Sequence, residues 1–475
     1  MGILITSLFR RLRSFPRSQR KLQKLRYSIL DLKWWARTAR SRWALAGFKG
    51  PIIAITGTKG KTTTAGLVSR IFADAGYRVG TASSLGIYVN GDCIVRGGYG
   101  GADGPLLAYR AGGTDVLVIE TVHGGIQRFG FGFPRCDVAI FTNITDGHLG
   151  ELGIESLEEM LALKWRLASK LRPGGTIVLN ADDPLLASAV PPPRAKVAYT
   201  TIAQGRVIDA VGLGAPVYRY AAGAVVREIE GRSETLAEVS GAPLLLDGLV
   251  TYNAYNLLAA IAATEAIRPL LPVSQESLVK SLLSFGASPE DNPGHFNLFD
   301  LPGGKVVLLA GSNRDSYRRD AEVLRAIRNH RPFPVGRVIG VITGVGTHSD
   351  DYMRDLVRIA SFVCDEIIIR EPLPRYRRGR LPGEIPTILA AAALEAGIPG
   401  SCIRVCGDSF DLLKGLLLSP GEEDRLIVIF CAFAQEPILD LCRRLAGLAN
   451  SAAEGKVDRD GVMISPRPGG GREIA

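Results

Sequence analysis

The stretch Ile52-Ile53-Ala54-Ile55-Thr56-Gly57-Thr58-Lys59-Gly60-Lys61-Thr62-Thr63-Thr64 limits the folds open to this chain more than any other part of it. An apolar run of strand type stops at Gly57. A short loop follows with Gly60, Lys61 and threonines, and Ala65 to Ala75 reads as a helix. Strand, glycine loop and helix start together cradle a phosphate, because glycines let backbone N–H groups approach the anion and the helix N-terminus adds positive potential. Lys61 can reach terminal phosphates and the Thr62 hydroxyl can hold Mg²⁺. Gly57, Thr58, Lys59, Gly60, Lys61, Thr62 and Thr63 are therefore the candidate nucleotide contacts. The general P-loop pattern has a glycine five residues before Gly60, where this chain has Ile55, so the loop is a shorter variant. The plain alternative is a tight strand-to-helix turn with an exposed lysine.

From Pro51 onward, strand and helix patterns alternate. Strand candidates are Ile52–Thr56, Asp115–Glu120, Asp137–Thr142 and Thr176–Leu179. Helices are expected over Ser156–Leu171, where Ser156 and Glu159 suit a capping box, and over Asn253–Ala266. Residues 185–245 are less regular. Ser-Pro-Glu-Asp-Asn-Pro-Gly before His295 reads as a linker, after which alternation resumes through Leu426–Phe430. The expected fold is α/β: a P-loop central domain with a mostly parallel sheet over 50–285, and a second, Rossmann-like α/β domain over 292–448. Residues 451–475, rich in Gly, Pro, Ser and charge, are expected to be disordered.

Charge separates the N-terminal arm from the rest of the chain. Residues 1–49 hold 13 Lys/Arg against the single acid Asp31, a net +12 within a total of +10, so the remainder is −2. A near-neutral body argues against a nucleic-acid substrate. The arm carries Trp34, Trp35 and Trp43 among its arginines, a composition suited either to an anionic membrane surface or to packing on the protein's own body. Met1-Gly2 with Thr6 formally fits a myristoylation pattern of low specificity. The seven cysteines lack metal-ligand spacing, which suits reduced thiols and a cytoplasmic setting, peripheral at the inner membrane surface if the arm binds lipid. No apolar run reaches the roughly 18 residues of a spanning helix.

Further polar residues lie at strand ends, where open α/β sheets bind ligands. Glu120 ends an apolar strand before Thr121-Val122-His123. Asn143-Ile144-Thr145-Asp146-Gly147-His148 follows another. Lys164 lies within the capped helix, and Asn253 and Asn256 stand at a helix start. Taken singly, each has an ordinary structural reading: a surface acid, a loop histidine, a solvated helical lysine. His123 suits a structural or a substrate-facing role equally, and Asp182 and Asp183 suit a turn before Pro184.

Together these stretches resemble the Mur ligases, and most closely the Mur-ligase-like half of cyanophycin synthetases. The resemblance rests on Thr56-Gly-Thr-Lys-Gly-Lys-Thr62, Gly86-Ile-Tyr-Val-Asn-Gly-Asp92, Glu120-Thr-Val-His-Gly-Gly-Ile126, Asn143-Ile-Thr-Asp-Gly-His-Leu-Gly150, Asn180-Ala-Asp-Asp-Pro184, Asn253-Ala-Tyr-Asn256, Pro293-Gly-His-Phe-Asn-Leu-Phe299 and Arg378-Gly-Arg-Leu-Pro-Gly-Glu384. It covers roughly residues 50–445 and implies a ligase that activates a carboxylate with ATP and joins it to an amine. By this resemblance Lys61 holds the β- and γ-phosphates, and Thr62 and Glu120 share one Mg²⁺. His148 and a carbamylated Lys164 serve a second metal, and Asn256 lies near the adenine. His295 and Asn313 come from the second domain. The implied substrates are an amino acid and a carboxylate-bearing peptide or amino-acid acceptor. Since the ATP-grasp half of cyanophycin synthetase has no counterpart here, a separate ATP-grasp or other biosynthetic partner is expected to make that acceptor.

The sequence also departs from the family pattern. Gly147 stands where an aspartate precedes the histidine, and His295 stands where Pro-Gly is followed by arginine. Loss of an arginine aimed at a transferring phosphate can cost about 10³-fold. Leu309-Ala310-Gly311-Ser312-Asn313-Arg314 replaces Asp-Tyr-Ala-His-Asn-Pro, keeping only the asparagine, with Arg314 as a new candidate phosphate contact. Two further readings therefore stand beside the ligase: a nucleotide-binding, catalytically reduced subunit serving a partner enzyme, and another P-loop phosphotransferase or ATPase.

Overall fold

The computed structural model describes residues 35–147, 149, 152–203, 214–286, 289–293, 295–301, 304–309, 313–329, 336–407, 410–418, 425–430, 438 and 440–447. The chain divides into two compact units between Phe285 and Gly286.

The first unit is built on a sheet whose described strands are β1 (Ile52–Thr56), β2 (Val79–Ala82), β3 (Gly86–Val89), β4 (Asp92–Arg96), β5 (Val116–Glu120), β6 (Cys136–Phe141), β7 (Leu171–Asn180), β8 (Lys196–Thr201), β9 (Val217–Ala221), β10 (Ala224–Ile229) and β11 (Arg232–Glu238). Their order is β11-β10-β9-β8-β7-β6-β1-β5-β2-β3-β4. From β9 to β2 the neighbours are parallel, and antiparallel hairpins close both ends. β1 is thus an interior strand, registered Ile55 to Glu120 on one side and Thr56 to Phe141 on the other.

Side chains alternate across a strand, and β1 uses both directions for core. Ile53 and Ile55 enter one apolar cluster with Leu67, Val68, Ile71 and Phe72 of the helix Lys61–Asp74 and with Leu257, Leu258 and Ile261 of the helix Tyr252–Ile267. Ile52 and Ala54 enter the opposite cluster with Phe133, Phe141 and Met160. A strand buried on both faces reads as a continuous apolar run, which is what Ile52–Ile55 is.

Three local features differ from the sequence expectation. The helix begun at Ser156 spans Leu157–Trp165, and a 3-10 turn at Ala168–Lys170 leads directly into β7 at Leu171. Leu171 stops being helical because it pairs with Cys136 of β6. The capping box is half formed: Ser156 Oγ accepts from Glu159 N at 3.2 Å, while the Glu159 carboxylate accepts from Glu155 N at 2.7 Å. Residues 185–245 supply β8–β11. The turns Ala222-Gly223 and Glu230-Gly231 carry positive φ at both residues, the geometry of the tightest hairpin loops.

The second unit has a six-stranded sheet made of β12 (Asn297–Leu301), β13 (Gly304–Leu309), β14 (Arg337–Ile342), β15 (Glu366–Arg370), β16 (Ile403–Cys406) and β17 (Arg425–Phe430), in the order β12-β13-β17-β14-β15-β16. Only β12 runs antiparallel to its neighbour among these strands. The helices Arg314–Arg328, Asp350–Ser361 and Glu384–Glu395 contribute Leu324, Leu356 and Leu389 to the core on one face. The tail from 451 lies outside the described residues.

Candidate active site

At the end of β1 the chain turns through Gly57, with φ 144°, and Gly60, with φ 81°, before the helix Lys61–Asp74 begins. A Cβ at Gly57 collides with Thr142 Oγ1, and one at Gly60 collides with Asn256 Oδ1, so both positions demand glycine for space as well as backbone conformation. The helix starts without a side-chain cap. Its first-turn N–H groups are those an uncapped helix offers an anion.

The segment after β6 braces the loop. Thr58 N donates to the Asn143 carbonyl and Lys59 N to Asn143 Oδ1, both at 2.9 Å. Thr142 Oγ1 donates to the Lys59 carbonyl at 2.5 Å, and Thr145 N to Thr58 Oγ1 at 3.0 Å. Asp183 in turn accepts from Ile144 N at 2.6 Å while capping the helix Pro184–Ala187. Asp182 accepts from Thr201 Oγ1, Ile202 N and Tyr255 Oη. Both aspartates thus serve the scaffold, consistent with their turn reading.

Two lysines converge on the same loop. Lys61 Nζ donates to the Thr58 carbonyl at 3.0 Å, and Lys164 Nζ to the Gly57 carbonyl at 2.8 Å. Lys164 is only 1% exposed. Burial lowers the pKa of Lys61, partly offset by Glu120. Burial, followed by the neighbouring Lys61 charge, holds Lys164 well below the ordinary lysine value, with Glu120 opposing. The helical lysine that is easiest to dismiss in the sequence is thus a core residue aimed at the phosphate-loop backbone.

Opposite them, Glu120 closes β5 at 2% exposure. Its Oε2 accepts from Thr62 Oγ1 at 3.0 Å and from Ser84 N at 2.9 Å, and Thr62 Oγ1 lies 3.1 Å from Ser84 Oγ. Carboxylate and hydroxyl oxygens of this kind suit a hard cation such as Mg²⁺. Ser84 is the residue missed in the sequence. The available signal was its place just past β2, a parallel strand beside β5. Among the described residues no group of three or more His, Cys, Asp or Glu side chains could by itself hold a metal. The donor set here is one carboxylate with hydroxyls.

Asn256 lies beneath the loop. Its Oδ1 accepts from Thr64 Oγ1 at 3.3 Å and its Nδ2 donates to Asn253 Oδ1 at 2.9 Å. Gly57, Thr58, Lys59, Gly60, Lys61, Thr62, Thr63, Glu120, Lys164 and Asn256 are therefore gathered at one end of the sheet. His148 lies outside the described residues. His123 begins the short helix His123–Phe129.

In the second unit, His295 Nδ1 is 2.9 Å from the Pro293 carbonyl. Asn313 is the N-cap of the helix Arg314–Arg328, in a reciprocal box with Ser316. Arg314 pairs with Asp355 at 2.7 Å and its guanidinium lies 4.4 Å from the Tyr352 ring centre. Leu309 ends β13; Ala310, Gly311 and Ser312 are outside the described residues.

Residues 55–264 match the Mur ligase middle domain. That stretch is a Mur ligase middle domain. The match takes in the Mur ligase loop from Gly57 to Thr63 together with Glu120, Lys164 and Asn256. Cyanophycin synthetase from Synechocystis sp. is 32% identical over 384 residues, covering 80% of this chain and 42% of that protein. UDP-N-acetylmuramoylalanine--D-glutamate ligase from Pelotomaculum thermopropionicum is 30% identical over 239 residues, covering 50% of this chain and 44% of that protein. The chain thus spans about two fifths of the length of the cyanophycin synthetases it matches. Of solved structures, a bifunctional folylpolyglutamate synthase/dihydrofolate synthase with Mn, AMPPNP and L-glutamate bound superposes with a TM-score of 0.59 at 18% identity, covering 87% of this chain and 94% of that one. E. coli FolC in complex with ADP gives a TM-score of 0.61 at 15% identity, covering 89% and 95%. At such identities the likeness is one of Mur ligase fold.

Proposed function

We propose that this protein is an ATP-dependent amide ligase that joins an amino acid to a carboxylate-bearing peptide or amino-acid acceptor. The observation that carries this reading is the pairing, at one strand end, of a phosphate loop with a buried lysine on its backbone and a carboxylate–hydroxyl cluster beside it. A plain P-loop ATPase has no need of Lys164 at Gly57. Bound Mg-ATP supplies the phosphoryl group that turns a poor leaving group, a carboxylate oxygen, into a good one, so that an amine can displace phosphate. The same relatives favour this reading over a catalytically reduced subunit.

In this reading the residues divide the work by charge. Lys61 leaves the Thr58 carbonyl to meet the terminal phosphates, and the helix start contributes its N–H groups. Thr62 and Glu120, with Ser84 in support, hold a divalent cation. Burial beside Lys61 favours the neutral amine of Lys164, the form that can accept carbon dioxide to become a carbamate, reversing its charge. Asn256 fixes the loop from below. His148, His295 and Asn313 complete the proposed set, as metal ligand and as second-domain contacts. The proposed compartment is the cytoplasm.

Purified protein with Mg²⁺, ATP and bicarbonate, tested against acidic peptides and amino acids, should release ADP only when both a carboxylate acceptor and an amine are present. Release that ignores the amine would instead assign the chain to simple nucleotide hydrolysis. Nucleotide binding with no turnover on any pair would support the reduced subunit.

A further inference from the structure

The helix over residues 35–45 is fastened to the first unit by one side only. Thr38, Ser41 and Leu45 are buried. Arg42 Nε donates to the Phe131 carbonyl at 2.9 Å, and Arg37 pairs with Asp103 at 3.6 Å. At roughly 100° per residue, Thr38, Ser41 and Leu45 share one side of the helix. Ala36, Ala39, Arg40 and Trp43 fall on the opposite side, with Trp35 on its flank.

That outer side carries large apolar side chains where water should favour polar ones, with Arg40 among them. Trp43 is 83% exposed and Trp35 54%, with exposed Ala36 and Ala39 between them. The two indoles stand roughly 12 Å apart along the axis. Packing on the protein's own body, one of the two expectations for the arm's tryptophans, is done here by Thr38, Ser41 and Leu45 and not by Trp35 or Trp43, while Trp34 lies outside the described residues. The surrounding sequence is strongly basic, with 13 Lys/Arg against one acid over residues 1–49.

We propose that this helix lies flat on an anionic phospholipid surface, with Trp43 and Trp35 at headgroup depth and Arg40 on the lipid phosphates. Indoles favour this depth because the ring is apolar and the N–H can still be hydrated. Basic side chains add attraction to the negative leaflet. Nucleic acid carries the same charge, but the rest of the chain is net −2, and exposed indoles at one helix side suit a lipid headgroup layer. The docking is independent of the reaction at the phosphate loop.

The protein carries its own probe. Of its four tryptophans, Trp34, Trp35 and Trp43 belong to this region, and the fourth, Trp165, packs 4.8 Å from Phe141. The full chain is mixed with vesicles of equal parts phosphatidylcholine and phosphatidylglycerol, with pure phosphatidylcholine vesicles, and with single-stranded RNA. We expect sedimentation with the anionic vesicles only, a blue shift of tryptophan emission, and weakening by salt. Trp35→Ala with Trp43→Ala should lower partitioning by about tenfold or more with thermal unfolding unchanged, and Trp43→Phe should retain part of the binding. The proposal is overturned if the anionic vesicles fail to bind, if the double alanine variant binds as well as the parent, or if RNA alone is bound.

Discussion

Two lysines and a glutamate carry most of the chemistry proposed here, and each has a distinct test. Lys61→Ala should lower nucleotide-dependent turnover by about 10²-fold or more, since it removes the cation facing the phosphates; steady-state ADP release measures this. Lys164→Ala should be inactive and regain activity with added short carboxylic acids. A variant as active as the parent would remove Lys164 from the reaction. Ser84→Ala should leave the fold intact and raise the Mg²⁺ concentration needed for half-maximal rate by about 10–100-fold, the usual effect of losing a partner of a metal ligand. The phosphate loop and Glu120 stood out in the sequence by position: a glycine loop follows one apolar run and an acid ends another. Ser84 was not, because a serine past a strand has many ordinary uses and only the β2–β5 pairing brings it to Glu120.

At the scale of elements, the central strands explain why the loop is held so firmly. Ile55 is buried between β5 and β6 immediately before the loop. Ile55→Ala should cost about 2–5 kcal/mol in chemical denaturation, the range for removing a buried aliphatic side chain, and should loosen nucleotide binding as well. The strands around β1 were readable as apolar runs because parallel strands are buried on both faces. β9–β11 were not. Their exposed faces break the apolar pattern, and their turns use Ala222 and Glu230 at positive φ in place of the usual Asn or Asp. The end of the helix at Ser156 was hidden for a related reason. Leu163, Leu167 and Leu171 recur every four residues, a spacing that continues a helix, whereas the pairing of Leu171 with Cys136 decides the boundary.

For the molecule as a whole, charge and thiol chemistry follow from how burial is distributed. Burial raises the thiol pKa of Cys136, and pushes those of Cys364 and Cys442 up to about 12. Cys93 lies exposed on β4. Brief alkylation of the native protein should therefore mark Cys93 first and spare Cys136, Cys364 and Cys442 until denaturant is added, as read by peptide mass mapping. The two α/β units and their order were legible from alternation and from the Pro-Gly-rich break. Within the second unit, Asn313 and Arg314 serve as a helix cap and an ion-pair partner, roles that a strand-to-helix loop in the sequence leaves open.

The central claim is that ATP is used here to activate a carboxylate. Transfer of oxygen-18 tests it most directly. With an acceptor labelled in its carboxylate, the account predicts that the phosphate released during amide formation carries oxygen-18 from that carboxylate, and that Lys61→Ala forms labelled phosphate more slowly by about 10²-fold or more. Phosphate formed at the parent rate without the label, its oxygen drawn from water, would contradict it.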